Sequence, residues 1–143
     1  ILKTVNRYVS LASTVLGAIA GISLIVSALM IIVTMYMSVS ERTKEIGILR
    51  ALGERKKDIR RLFTSESIFI GLFSAVLALV LAYGASAALN HALYHMVKAN
   101  IVQISGGNII FAFAAAIIIS FIAALLPARR ASKLNPIDAL SAD

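Results

Sequence analysis

Three long stretches without a charged residue constrain this chain more than any other feature. They run from Tyr8 to Ser40 (33 residues), from Ser67 to Val97 (31 residues) and from Ala99 to Ala128 (30 residues). Each is longer than the roughly 20 apolar residues that a helix needs to cross a bilayer. Because 59% of the 143 residues are hydrophobic and only 15% are charged, a soluble domain of this size could not bury them. The sequence therefore predicts an all-α membrane protein with three transmembrane helices.

The predicted spans cover about residues 9–39, 67–91 and 108–127, with a cytoplasmic segment at 40–65 and a cytoplasmic tail at 128–143. An unbroken first helix from residue 1 to 39 would be roughly 58 Å long, against about 30 Å of hydrocarbon. We therefore expect this helix to be long and to protrude outside as a stalk. The third span is expected to end at Pro127, and Asn135-Pro136 predicts a short cytoplasmic helix in the tail.

The positive charges set the predicted topology. The net charge is +7, and eight of the 14 basic residues lie in the segment between the first two spans. Three more follow the third span, and a single lysine, Lys98, lies between the second and third. The positive-inside rule then places the 40–65 segment and the C-terminus in the cytoplasm and the N-terminus outside. Because the basic residues flank spans, we assign them to lipid headgroups and not to nucleic acid.

The segment at 40–65 is predicted to contain a short amphipathic helix. Ile46, Leu49 and Leu52 form an apolar arc, and Gly53 is placed to end the helix at its C′ position. Ser38 and Glu41 have the spacing of a capping box, which predicts that a helix restarts there. A loop this short cannot fold alone, so we expect the arc to pack on a partner outside the chain. Further along, Ile59, Leu62 and Phe63 predict an amphipathic lead-in along the membrane surface. Glu66 at the start of the second span is expected either to pair with Arg61 or Arg129 or to stay solvated at the interface.

Small residues recur at every fourth position in each span, which allows helix backbones to approach closely. In the first span the stripe is Ser13, Gly17 and Gly21, which includes a GxxxG match. Such a stripe fits packing within one subunit or a dimer seam, and the sequence leaves both open. The second and third spans carry the stripes Ser74, Ala78, Ala82, Ser86 and Ala112, Ala116, Ser120, Ala124.

No set of catalytic residues is recognisable, so the chain is predicted to be a non-catalytic membrane subunit. It contains no GxxxxGK[ST] phosphate loop and no cysteine. His91 and His95 have a spacing that suits zinc, but no carboxylate lies near in sequence, so we predict no metal site. The spans hold no Asp, Lys or Arg at mid-depth, which argues against a proton- or ion-coupled carrier. An energy source outside this chain is expected.

Three blocks of sequence resemble the FtsX/MacB-type permeases of ABC transporters, also called type VII or mechanotransmission systems. The blocks are residues 39–58 (VSERTKEIGILRALGERKKD), 59–71 (IRRLFTSESIFIG) and 127–140 (PARRASKLNPIDAL). They occur in the family's order and spacing, and with the spans they cover nearly the whole chain. The resemblance identifies the three spans with the second to fourth of the family's four. It implies that a first span and an extracytoplasmic domain precede this stretch.

The resemblance also implies partners and site residues. The family acts as a dimer on a pair of ATPase subunits, so the expected partners are an ABC ATPase, a second copy of the permease or a homologue, and membrane lipid. No cofactor is expected on this chain, and ATP with magnesium is expected on the ATPase. The expected location is the bacterial inner membrane. The matching coupling helix gives the expected ATPase interface: Glu45, Ile46, Gly47, Leu49, Arg50, Ala51, Leu52 and Gly53.

Three functions fit the resemblance. The first is efflux or extraction of lipoproteins, peptides, antibiotics or other amphiphiles, driven by ATP on the partner. The second is a regulatory scaffold of the FtsX type that activates a cell-wall hydrolase without transport. The third is one repeat of a ten-span permease that confers resistance to antimicrobial peptides. The first is the leading interpretation and the other two are alternatives, and in each the segment at 40–65 couples the spans to an ATPase.

Overall fold

The computed structural model describes residues 1–98 and 100–141, apart from the side chains at positions 95 and 97. The described residues form helices joined by short connections, so the predicted all-α class is confirmed. Three of the helices are long and apolar enough to cross a membrane. The helices are α1 (Leu2–Glu41), α2 (Thr43–Ala51), α3 (Lys56–Val97), α4 (Gly106–Ser132) and α5 (Pro136–Leu140).

Helix α4 is the centre of the arrangement. It packs along α3 and also contacts α1, whereas α1 and α3 hardly touch each other. The buried face of α4 consists mostly of small residues, which let both neighbours approach closely. Helix α1 is buried only near its C-terminal end, at Met35 and Val39, and none of its most apolar 18-residue window is buried. The packed part of the molecule therefore lies at the end that carries α2 and α5.

Close contact between α3 and α4 depends on Gly71. A Cβ atom at Gly71 would clash with the Ser120 side chain and lie 3.2 Å from the carbonyl oxygen of Ala116. One turn away, the buried hydroxyl of Ser67 donates a hydrogen bond to the carbonyl oxygen of Ser120 (3.1 Å). Ala75 continues the same face of α3. The helices thus meet through side chains that are too small to hold the backbones apart.

The structure packs most of one predicted small-residue stripe and leaves most of another exposed. On α4, Ser120 and Ala124 are buried and Ala116 is half-buried, whereas Ala112 is exposed. On α3 three of the four members, all but Ser86, are exposed, so packing of this stripe within the chain is not seen and a partner helix there stays a prediction. Both rows on α3 have the spacing of four, and spacing alone does not tell which row meets a neighbour.

One predicted helix end is wrong. No capping box forms at Ser38, because α1 continues to Glu41 and the chain breaks at Arg42. The hydroxyl of Thr43 donates back to the carbonyl oxygens of Val39 (3.0 Å) and Ser40 (2.9 Å), which secures the break. The end of the third span at Pro127 stays a prediction, and the helix that contains it, α4, runs on to Ser132. Pro127 removes one backbone hydrogen bond, but its ring is fully buried, and this packing holds the helix together across it.

Other predicted ends are confirmed. Gly53 follows α2 with a φ of 101°, the left-handed conformation that favours glycine at a C′ position. Helix α5 begins at Pro136 with Asn135 as its N-cap residue. The expected lead-in to the second span is not a separate surface helix. It is the first part of α3, which is continuous over 42 residues and buries Ile59 and Phe63 instead of laying them on the membrane.

Candidate coupling site at the charged end of the bundle

A single hydrophobic core joins four helices at the charged end. Each of the four contributes at least one buried side chain, and Ile31, Leu49 and Leu134 pack around the edge. The buried members are Met35 and Val39 from α1, Ile46 from α2, Ile59 and Phe63 from α3, and Ala128 and Ala131 from α4. Helix α2 enters this core through Ile46 and, at its edge, Leu49, so a displacement of α2 would act on the other helices through these two side chains.

The inner face of α2 is covered by this chain itself. Ile46 is only 2% exposed in the core, and Leu49 is half-buried against it. Gly47 lies under α5: a Cβ atom there would be 2.7 Å from the Cβ atom of Ala139 and 3.5 Å from the backbone nitrogen of Leu140. This corrects the expectation that the Ile46/Leu49/Leu52 arc faces a partner. Two of its three residues anchor α2 to the bundle, and the close approach at Gly47 is to α5.

The outer face of α2 is exposed and is not covered by the described part of the chain. Leu52 is 79% exposed and Ile48 is 46% exposed, and Glu45 and Ala51 are exposed beside them. Gly53 is exposed just beyond the helix. Of the residues predicted to contact an ATPase, the structure leaves Glu45, Ala51, Leu52 and Gly53 open. It adds Ile48, which is absent from the interface expected from the sequence.

Arg50 stabilises the end of α2. Its guanidinium donates a hydrogen bond from Nη1 to the carbonyl oxygen of Glu54 (3.1 Å). The backbone nitrogen of Gly53 donates to the carbonyl oxygen of Arg50 (3.2 Å), and that of Glu54 donates to the carbonyl oxygen of Leu49 (3.0 Å). A positive side chain at a helix C-terminus is also favoured by the helix dipole. The Nε atom of Arg50 is buried without a hydrogen-bond partner in the described part of the chain. Part of this side chain therefore serves the fold of α2 and not only an external surface.

Among the described residues around α2, the charged side chains form an ion pair and an exposed cluster of basic residues. Nη1 of Arg42 lies 3.7 Å from Oε2 of Glu66, so the expected partners of Glu66, Arg61 and Arg129, are both wrong. The pair is substantially exposed and contributes less than about 1 kcal/mol, but it ties the α1–α2 break to α3. The first turns of α3 are strongly basic and exposed: Lys56, Lys57, Arg60 and Arg61.

The predicted small-residue stripe on α1 does not pack on the described part of this chain. Ser13 and Gly17 are exposed, and Gly21 is half-buried. A Cβ atom at either glycine would have no neighbour within 4 Å. Of the two interpretations of the stripe, packing against the other spans of this chain is therefore not seen. A partner helix at Ser13, Gly17 and Gly21 stays a prediction.

The described residues contain no group of three His, Asp or Glu side chains that could hold a metal ion. The predicted absence of a zinc site involves His91 and His95, and the side chain of His95 lies outside the described part of the structure. The arrangement at the charged end is a packed junction of helices beside the exposed outer face of α2.

Comparisons with known proteins agree on one family. A family model described as "FtsX-like permease C-terminal" matches residues 17–136. The macrolide export ATP-binding/permease protein MacB of Agrobacterium fabrum is 37% identical over 99% of this chain and 21% of its own length. A probable export ATP-binding/permease protein MacB of Pseudomonas entomophila is 36% identical over 100% and 21%. An uncharacterized ABC transporter permease of Methanocaldococcus jannaschii is 41% identical over 96% and 35%. The chain thus spans about a fifth to a third of these relatives.

Proposed function

This chain belongs to the FtsX-like permease family of ABC transporters, and on that premise we propose that it couples an ATPase docked on α2 to movement across the membrane. The names of two relatives, an ATP-binding/permease protein and an ABC transporter permease, support a role as a transporter permease. The site residues, the ATPase and the cargo belong to the proposal. We place the protein in the bacterial inner membrane, with α2 and α5 in the cytoplasm.

The contrast between the two faces of α2 carries the proposal. On the inner face Ile46 is 2% exposed, whereas on the outer face Leu52 is 79% exposed. A nine-residue helix that served only the fold would have no reason to present Leu52 and Ile48 away from the bundle. Exposed apolar residues beside charged ones are typical of protein interfaces, in which a few central residues supply most of the affinity.

The same geometry suits transmission of force. The ATPase would bind ATP with magnesium, since this chain has no phosphate loop. Movement of the ATPase would push on the outer face of α2, and the shared core would pass the displacement to α1 and α4. Helix α1 has 40 residues, so at 1.5 Å per residue it is about 60 Å long and extends well beyond a bilayer core of about 30 Å. Its free end would carry the movement outside.

For the cargo, we propose export of amphiphiles such as macrolides, peptides or lipoproteins. Two of the relatives compared here are named as export proteins, one of them for macrolides. These names favour a transporter over a regulatory scaffold of the FtsX type or one repeat of a ten-span permease. A second copy of the permease, or a homologue, would complete the assembly.

Substitution Leu52→Asp tests the docking site in the full-length protein. A charge on the outer face of α2 would be desolvated against the ATPase without a partner, so the affinity of docking should fall about tenfold or more. Where the ATPase is a separate subunit, co-purification measures the loss; where it is fused, transport-coupled ATP hydrolysis does. Because Leu52 is exposed, the amount of inserted protein should not change.

Leu2→Asp is the matched control, since Leu2 is 81% exposed at the opposite end of α1. It makes the same chemical change at similar exposure, far from α2, and should leave docking intact. Unchanged docking in Leu52→Asp would refute the proposal. Equal loss in both variants would also refute it, because the effect would then not depend on α2.

A further inference from the structure

A groove lies beside the core where α1 and α4 meet the α1–α2 break. Its volume is about 270 Å³, and its walls include Met37 and Leu134, with Tyr36, Ser40 and Arg130 at the polar side. It contains no carboxylate among its lining residues. Pockets for drug-sized solutes occupy about 300–1,000 Å³, so this groove suits a smaller polar group.

Arg130 gives the groove a positive charge that this chain does not neutralise. Its guanidinium carbon lies 5.3 Å from the centre of the Tyr36 ring, a cation–π contact that holds the side chain at the groove. In the described part of the chain no carboxylate lies within 4 Å of the Arg130 guanidinium, whereas Arg42 forms an ion pair with Glu66. A guanidinium fixed on one face by an aromatic ring keeps its in-plane N–H donors free for an anion.

The surroundings of the groove place it at the edge of the hydrocarbon. One helical turn from Met37 toward the middle of α1 lies Val33, and one turn from Arg130 toward the middle of α4 lies Leu126; both are more than half exposed. On the other side of Arg130, Lys133 is exposed. A ligand here would therefore have its polar group at Arg130 and apolar surface alongside it toward the bilayer centre.

We propose that this groove binds the phosphate-bearing headgroup of an anionic phospholipid in the leaflet at the charged end. Arg130 donates to the phosphate, the hydroxyls of Tyr36 and Ser40 supply further donors, and an acyl chain lies along Met37 and Val33. The site touches α2 only at its first residue, Thr43, and the exposed residues Ile48 and Leu52 proposed for ATPase docking are not among its lining residues. A bound lipid would brace α1 against α4 beside the core through which α2 acts.

The test uses the purified full-length protein in a neutral detergent, with phosphatidylglycerol as the probe. Native mass spectrometry gives the apparent affinity, and thermal melting gives the stabilisation. Loss of one basic residue near a charged lipid lowers the affinity about fivefold, because general electrostatic attraction is lost. Arg130→Gln should lower the affinity at least about tenfold beyond this general loss, because it also removes charge-assisted hydrogen bonds to the phosphate. Tyr36→Phe keeps the ring and should give a smaller loss.

Arg129→Gln is the matched control: the neighbouring arginine is exposed, carries the same charge and does not line the groove. Only the general fivefold loss is expected from it. Equal losses in the two arginine variants would overturn the proposal, as would equal stabilisation by phosphatidylcholine or by inorganic phosphate alone. A photoreactive amino acid at Met37 should crosslink to lipid in membranes. Crosslinking to a protein segment instead would show that another helix occupies the groove.

Discussion

Gly47 is the residue on which the contact between α2 and α5 depends. Its missing side chain leaves room for Ala139, whose Cβ atom would lie only 2.7 Å from a Cβ atom at position 47. Both partners in this contact are backbone or the first atom of a short side chain, so neither can turn aside. Glycine in the middle of a helix costs about 1 kcal/mol relative to alanine, and the close approach explains its presence.

Gly47→Ala should therefore destabilise the protein by about 1–3 kcal/mol through overpacking, although alanine favours helix formation. Ala139→Gly in the same protein should restore most of the loss, because it removes the atom that clashes. Unfolding by SDS titration in mixed micelles measures both. Gly17→Ala, where a Cβ atom meets nothing within 4 Å, is the control and should not destabilise the isolated subunit. Failure of Ala139→Gly to rescue Gly47→Ala would show that the contact is not the cause.

At this scale the sequence predicts residue types better than their partners. It indicates that Ile46 and Leu49 form an apolar face of a short helix. It does not indicate that α5 and the core cover them. A helical pattern shows which side of a helix avoids water, whereas the covering residues lie some 90 positions away in the case of Ala139, with no local signal that links them.

Among the elements, α3 and α4 form a hairpin that Asn90 closes at its far end. The Asn90 side-chain amide donates to the carbonyl oxygen of Val102 (2.9 Å), and its oxygen accepts from the backbone nitrogens of Ile101 (3.1 Å) and Val102 (3.0 Å). Ser86 adds a longer bond to the same carbonyl (3.4 Å). One side chain thus satisfies three backbone groups of the connection, whose residues 100–105 have no regular structure.

Asn90→Ala should release this connection and lower the unfolding free energy by about 1–3 kcal/mol, since partly buried backbone groups lose their partners. Amide hydrogen exchange at Ile101 and Val102 should accelerate, which reports on the connection directly. Asn108→Ala is the control, because Asn108 is exposed at the same end and its side chain makes no hydrogen bond within the described residues, whereas its backbone nitrogen donates to Ser105. Slow exchange that persists in Asn90→Ala would contradict this role.

The sequence predicts most elements and few of their contacts. The length of α1, the existence of α2, the stop at Gly53 and the start of α5 follow from local chemistry, and all four are confirmed. The continuation of α4 beyond Pro127 is not evident from the sequence, because it depends on the packing of the buried proline ring. The Asn90 contacts are missed for a related reason: an asparagine near a helix end has many possible partners, and tertiary packing selects one.

Over the whole molecule, packing is concentrated at one end. The core, the ion pair and the contact of α2 with α5 all lie at the charged end, while the N-terminal half of α1 is exposed. Such a distribution makes one end a rigid junction and leaves the other free to follow it. The proposed direction of coupling, from α2 outward along α1, requires these two ends to lie on opposite sides of the membrane.

That requirement predicts opposite accessibility for two basic residues. Arg55, just before α3, and Lys3, near the start of α1, are both exposed, and the natural chain has no cysteine. In the full-length protein with any cysteines elsewhere replaced, Lys3→Cys should react with a membrane-impermeant maleimide in intact cells. Arg55→Cys should react only after the membrane is permeabilised, because the concentration of positive charge around it marks the cytoplasmic side. Both variants should label equally in detergent, which shows that each thiol is reactive. Rapid labelling of Arg55→Cys in intact cells would place α2 outside, beyond the reach of any ATP-driven partner, and the coupling proposal would then be wrong.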